Sequence, residues 1–116
     1  MMSVSEKMVY DIVAALSAHY GAREEAILKN SVCWRVRMEY AYLNSRMLDA
    51  SAEIVGSKYA KAFIMDIGRG IGYANSKIDA FSESSYKKSK IEIKRRIAEK
   101  LNLIDPAVSD FERNKK

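Results

Sequence analysis

The chain is short of the residues that cross-link or interrupt a fold: 116 residues contain one Cys, one Pro, one His and five Gly. With Cys33 alone there can be no intrachain disulfide and no cysteine metal cluster, so a reducing cytoplasm is the expected setting. Pro106 is the sole proline, which leaves everything before it free of the strongest helix breaker. No run approaches the roughly 18 uninterrupted apolar residues of a membrane span. Lys7 and Asp11 interrupt the N-terminus before a signal-peptide core could form. The lone His19 falls at the expected end of a first helix with no identifiable nucleophile near it, a place for capping carbonyls rather than for a catalytic base. The carboxylates follow exposed faces, without the spacing of a two-acid or metal site. These absences point to a protein that is not an enzyme and carries no metal, nucleotide or other cofactor.

What is present fits one small domain. The chain is 48% hydrophobic, too apolar for a disordered sequence, and carries 20 Lys+Arg against 15 Asp+Glu, a net charge of +5. That charge is segregated. Residues 1–86 hold ten of each sign and residues 101–116 three of each, so the excess lies wholly in 87–100, with seven Lys/Arg against two Asp/Glu.

Apolar residues recur at three and four, which predicts an all-α fold of about six helices. Ser3 and Glu6 form a capping-box pattern ahead of a helix over 4–20, whose apolar face is Met8, Val9, Ile12, Val13, Leu16 and Tyr20 and which Gly21 closes. A short helix over 22–29 turns Ala26, Ile27 and Leu28 inward. A long one over 32–48 faces Val32, Val36, Tyr40, Leu43 and Met47 to the core, with Cys33 a small core residue beside Trp34. The next helix spans 50–66 and stops at Gly68, Gly70 and Gly72, since each Gly costs a helix about 1 kcal/mol relative to Ala. Helix 71–81 and a polar connector over 82–86 follow. A basic helix over 87–104 is built on Ile93, Ile97, Leu101 and Ile104, and 105–116 is a flexible polar tail. Residues 1–104 then form a single compact helical bundle.

Helix 50–66, a glycine turn and helix 71–81 have the form of a helix-turn-helix, whose second helix enters the major groove. An ordinary helical hairpin accounts for the same pattern. The Gly68/Gly70/Gly72 run lacks the lysine and hydroxyl of a phosphate-binding loop and follows no strand, which argues against a nucleotide. Arg69, between two glycines at the head of the second helix, is placed to reach a guanine edge or a phosphate, and Gly70 lets the backbone approach closely. Tyr73, Asn75, Ser76 and Lys77 are the other exposed candidates there. Lys58 and Lys61 on the preceding helix, and Lys87, Lys88, Lys90, Lys94 and Arg95 on the basic helix, are candidates for the phosphate backbone, although a solvated face also explains them. The basic helix has no aromatic anchor on its apolar face, so no membrane partner is expected.

Arg35-Val36-Arg37 leading into Tyr40-Ala41-Tyr42-Leu43, then Ser51, Gly56 and Tyr59 at fixed spacing, resembles the C-terminal DNA-binding domain of the bacterial replication initiator DnaA. That domain carries an Arg before A-M-Y-L and then S-x-x-E-I-G-x-x-F-G. His19-Tyr20-Gly21 with Glu24, Glu25 and Leu28, and Ala74 with Lys77-Ile78-Asp79, extend the resemblance over residues 8–101. It implies a helix-turn-helix, a double-stranded DNA partner and a bacterial or phage-encoded cytoplasmic protein. It also implies backbone contacts from Arg37, with Arg35 close by, and from Ser51. The family's base-reading residues align with Ile67, Gly68, Arg69 and Gly70, and none is retained. Five extra residues also precede the Ala74 match, so the family's DNA-box specificity does not carry over. The chain contains no ATPase module, so the sequence reads as a transcription regulator or accessory replication factor. The alternative is a small helical adaptor or inhibitor that keeps the fold, has lost DNA binding and acts through a protein partner or self-association.

Overall fold

The computed structural model describes residues 4–104, with side chains from Glu6 onward. Ser3 and the tail 105–116 lie outside the described residues. Five α-helices and one 3₁₀ turn follow in order: α1 Val4–Ala18, α2 Tyr20–Leu28, α3 Trp34–Val55, α4 Ser57–Arg69, the turn Tyr73–Asn75, and α5 Glu83–Lys100. No strand occurs among the described residues. The central α3 packs on α2, α4 and α5, and α4 also crosses α1.

Local chemistry closes three of these segments the same way. After α2, Asn30 takes φ +56 while Ser31 N–H donates to the Ala26 carbonyl and Asn30 N–H to Ile27. Gly70 (φ +66) closes α4 through Ile71 N–H to Asp66 and its own N–H to Ile67. Asn102 (φ +59) closes α5 through Leu103 N–H to Ala98 and its own N–H to Glu99. All three are Schellman closures, which require a left-handed residue and so select Gly or Asn.

Four expected boundaries move. Helices 32–48 and 50–66 are not separate at Asp49, because α3 runs on to Val55 and breaks at Gly56. Ser51 does not start a helix: it is fully buried inside α3 and its hydroxyl donates back to the Met47 carbonyl at 2.9 Å. Gly21 does not close the first helix, since the chain bends at His19 and Gly21 lies inside α2. Gly68 is not a stop either. It sits inside α4 where a Cβ would come within 2.5 Å of the Ala18 amide nitrogen, so it is the contact point of α1 and α4.

The largest difference is at 71–81, which is not a helix. After the 3₁₀ turn the backbone is extended at Ser76 (φ −76, ψ 144). Ser76 Oγ donates to Asp66 Oδ2 at 2.6 Å and accepts the Ile78 amide at 3.1 Å, and Tyr73 OH donates to the Phe81 carbonyl. Side-chain bonds of this kind compete directly with helical ones. The helix-turn-helix predicted from the sequence therefore lacks its second helix in this structure. Helix α5 starts at Glu83, inside the expected connector, because Ser82 Oγ caps the Ser85 amide.

The core unites Val13, Tyr20, Met47, Phe63, Ile64, Ile67, Ile78, Tyr86, Ile93 and Ile97. Phe63 meets Phe81 edge-to-face and Tyr86 at a tilt, with ring centroids 5.1 and 5.3 Å away. Met8, Ile12 and Leu28, expected inside, are exposed, and so is Cys33, which stands at the N-cap of α3.

Candidate nucleic-acid interface

The 70–78 segment is held down by one carboxylate. Asp66 lies in the apolar face of α4, buried, and accepts both the Ser76 hydroxyl and the Tyr86 hydroxyl, at 2.6 and 2.8 Å. Its hydrogen bonds come from hydroxyl donors, and no Lys or Arg forms an ion pair with it among the described residues, although Lys90 is near enough to feel its charge. Burial, and then the bond to Asp66, push the Tyr86 phenol up to about 12. The neutral phenol is thus favoured in the folded state. Its contribution to stability is complete below the ordinary tyrosine value of 10.0 and is lost as pH rises to about 12. The shift corresponds to about 2–3 kcal/mol. Alkaline unfolding followed by circular dichroism should fall in that window, and Tyr86→Phe should move its midpoint upward; an unmoved midpoint would exclude this coupling.

Held in this way, the segment gathers several of the candidate residues. Arg69, Asn75 and Lys77 line one depression of about 260 Å³ with Asp66, Ile71 and Ile78. Lys90 Nζ donates to the Ile71 carbonyl at 2.6 Å, which ties α5 to the rim of that depression. Desolvation, and then the neighbouring Lys94, lower the Lys90 ammonium below its usual value. Lys87, Lys90 and Lys94 share one flank of α5 by their i, i+3, i+7 spacing. Lys90 is also drawn over the Tyr86 ring, 5.2 Å from its centroid. Gly70, Tyr73 and Ser76 are scaffold here, forming the closure of α4, the bond to Phe81 and the bond to Asp66.

The other candidates lie elsewhere or are already engaged. Arg35 is exposed on the first turn of α3, and the Arg37 guanidinium donates to the Val32 carbonyl at 2.7 Å. Eighteen positions separate Arg35 from Glu53, where α5 docks, or about 27 Å along the helix. Ser51 reaches no surface. Lys58 sits over the Tyr59 ring and Lys61 pairs with Glu24 of α2 at 2.7 Å. Lys87 pairs with Glu83, and Arg95 donates to Tyr10 OH on α1. Lys88 is exposed and has no carboxylate partner among the described residues.

The sum over 87–100 conceals an internal division. Arg96 and Lys100 bind Glu53 of α3, and those bonds, Lys100 first, hold the Glu53 carboxyl below its usual range. The basic helix thus spends its C-terminal cations on packing and leaves Lys88, Lys90 and Lys94 without carboxylates. One feature opposes an anion at this surface: the carbonyl end of the α4 dipole points toward it. The Schellman bonds occupy two of the terminal carbonyls of α4, and Arg69 in its last turn supplies the compensating charge.

Sequence reasoning did not single out Asp66 or Arg23. The signal for Asp66 was a carboxylate three residues after Phe63 and one before Ile67, in the middle of an apolar stripe. No helix of the described residues is long and apolar enough to cross a membrane. Comparison with protein-family models, curated proteins and solved structures finds no match to the chain.

Proposed function

We propose that the chain is a non-enzymatic double-stranded DNA-binding protein that grips the phosphate backbone through the 70–78 segment and the adjoining flank of α5. One observation carries this reading. Lys7, Lys29, Lys61, Lys87, Arg96 and Lys100 each have a carboxylate partner, whereas Arg69, Lys77, Lys88, Lys90 and Lys94 have none among the described residues. The charge of Arg69, Lys77 and Lys94 is left for an external polyanion, while Lys90 is held by the Ile71 carbonyl and the Tyr86 ring and Lys88 lies on another face of α5; phosphate contact is what lysines and arginines on an open surface do best. Arg35, Arg46 and Lys58 also lack carboxylates but do not join this surface, and Arg23, Arg37 and Arg95 lack them too but are engaged by neutral groups.

The non-helical 76–81 segment gives no helix to lay in the major groove, so the proposed contact is to backbone rather than to base edges. The role is that of an accessory factor or regulator with little sequence preference, and the DnaA-like ancestry remains part of the proposal. Titrating duplexes of random and of selected sequence at two salt concentrations tests it. Similar affinities with a steep salt slope are expected, about 0.9 log unit per phosphate neutralised. Absence of saturable binding would sink the reading.

A second reading, the helical adaptor, rests on a different observation. Trp34, Met38 and Tyr42 are 63%, 63% and 55% exposed and follow one another every four residues along α3. Aromatic and methionine side chains in such a row are the composition of a protein-docking surface.

A further inference from the structure

Arg23 on α2 is a charge buried without a counter-charge. It is only 6% exposed, and its partners are neutral: Nε–H donates to Asn44 Oδ1 at 2.7 Å, and Nη2 donates to the Leu16 carbonyl at 2.8 Å and to Met47 Sδ at 3.3 Å. Asn44 is itself fixed by donating to the Tyr20 carbonyl, so the guanidinium is clamped in orientation. The remaining nitrogen, Nη1, has no hydrogen-bond partner among the described residues. Burying the rest of the guanidinium is costly, since neutral acceptors return only part of its hydration, and Nη1 is the nitrogen still open to solvent.

Arg23 also lines an open depression of about 420 Å³ between α1, α2 and the start of α3. The walls are Leu16, Ala22, Ala26, Val32 and Leu43, with His19 and Tyr40 as the other polar groups. The Tyr40 hydroxyl makes no hydrogen bond to any described residue. An apolar hollow of this size with a few convergent polar groups has the build of a small-molecule site.

We propose that this depression binds a small apolar monocarboxylate, the carboxylate at Arg23 Nη1 and the Tyr40 hydroxyl and the hydrocarbon body against Leu16, Val32 and Leu43. Because Nη2 is already committed, one nitrogen and one hydroxyl are on offer, which suits two carboxylate oxygens. A phosphate dianion would leave oxygens unpaired against apolar walls. The volume lies in the range of about 300–1,000 Å³ typical of small-ligand sites. The site is independent of the DNA surface, so either proposal can fail alone.

Decanoate is the probe, with decanol as the isosteric control lacking charge, followed by calorimetry and by amide chemical shifts. Decanoate should bind at one site, about tenfold or more tighter than decanol, and shift the amides around Leu16, Val32 and Leu43. Tyr40→Phe should weaken decanoate by about tenfold. Val32→Trp, which fills the hollow from the loop before α3, should abolish binding while leaving duplex affinity unchanged. Arg23→Met should bind decanol as well as decanoate; if it does not fold, the Tyr40 and Val32 variants decide the matter. Equal affinity for decanoate and decanol, shifts confined to the lysines of α5, or a Val32→Trp protein that still binds would each overturn the proposal.

Discussion

Asp66→Ala should destabilise the protein by about 3 kcal/mol and, although it removes a negative charge, weaken its affinity for DNA. The stability loss follows from two hydroxyls left behind in the interior. Tyr86 is fully buried and keeps a 3.3 Å contact to the Ile71 carbonyl and the neighbouring Ser76 hydroxyl, both weaker partners than a carboxylate, while Ser76 loses its 2.6 Å acceptor. Bonds to an ionised acceptor are worth about 1.5–3 kcal/mol each, and the buried donor that remains adds its own desolvation cost. The affinity loss separates two explanations. If net charge alone governed binding, going from +5 to +6 would tighten it. If Arg69 and Lys77 must be held beside Lys90 and Lys94, releasing the 70–78 segment weakens it. Urea unfolding and duplex titration on the same variant read both effects; a loss below about 1 kcal/mol with tighter binding would contradict the role given to Asp66.

Gly68→Ala should cost about 2 kcal/mol or more, where Gly21→Ala should be neutral or stabilising. Both glycines are helical, and in an exposed helix the change to Ala gains up to about 1 kcal/mol. At Gly21 the new Cβ would meet only Met65 Cε at 3.5 Å, an ordinary contact. At Gly68 it would meet the Ala18 amide nitrogen at 2.5 Å and the Ser17 carbonyl carbon and oxygen at 2.6 Å. These are backbone atoms of α1, which cannot rotate aside, so the helices must separate and the overpacking penalty outweighs the propensity gain. Thermal or urea unfolding of the two variants side by side is the check, and equal effects would show that the α1–α4 contact yields easily.

How much of this was legible in the sequence depends on how far each determinant reaches. The all-α class was legible because scarce Pro and Gly and the three-four periodicity act locally. The inward stripe of Ile93 and Ile97 was legible for the same reason. The continuity of α3 through Asp49 was not, because nothing in Leu48-Asp49-Ala50-Ser51 distinguishes a helix start from a helix interior until Ser51 is seen to be buried. The 71–81 segment has a helix-compatible pattern, yet Ser76 and Tyr86 are drawn to Asp66 from ten positions downstream and twenty, a competition that no local window contains. For the interface, the segregation of charge into 87–100 could be counted. Which of those cations would be free could not, because the answer lay with Glu53 on α3.

The surface proposed for DNA makes one demand that bulk charge does not. Arg69→Gln/Lys77→Gln/Lys94→Gln and Lys7→Gln/Lys29→Gln/Lys61→Gln each remove three positive charges, the first set lacking carboxylate partners and the second taken from ion pairs. Titrating a random-sequence duplex against both variants at several salt concentrations should leave the second set near the parent protein. The first set should lose affinity, with a salt slope shallower by about 0.9 for each phosphate contact removed. Equal losses in the two variants would mean that only the net charge matters and that the 70–78 surface is not where DNA is held.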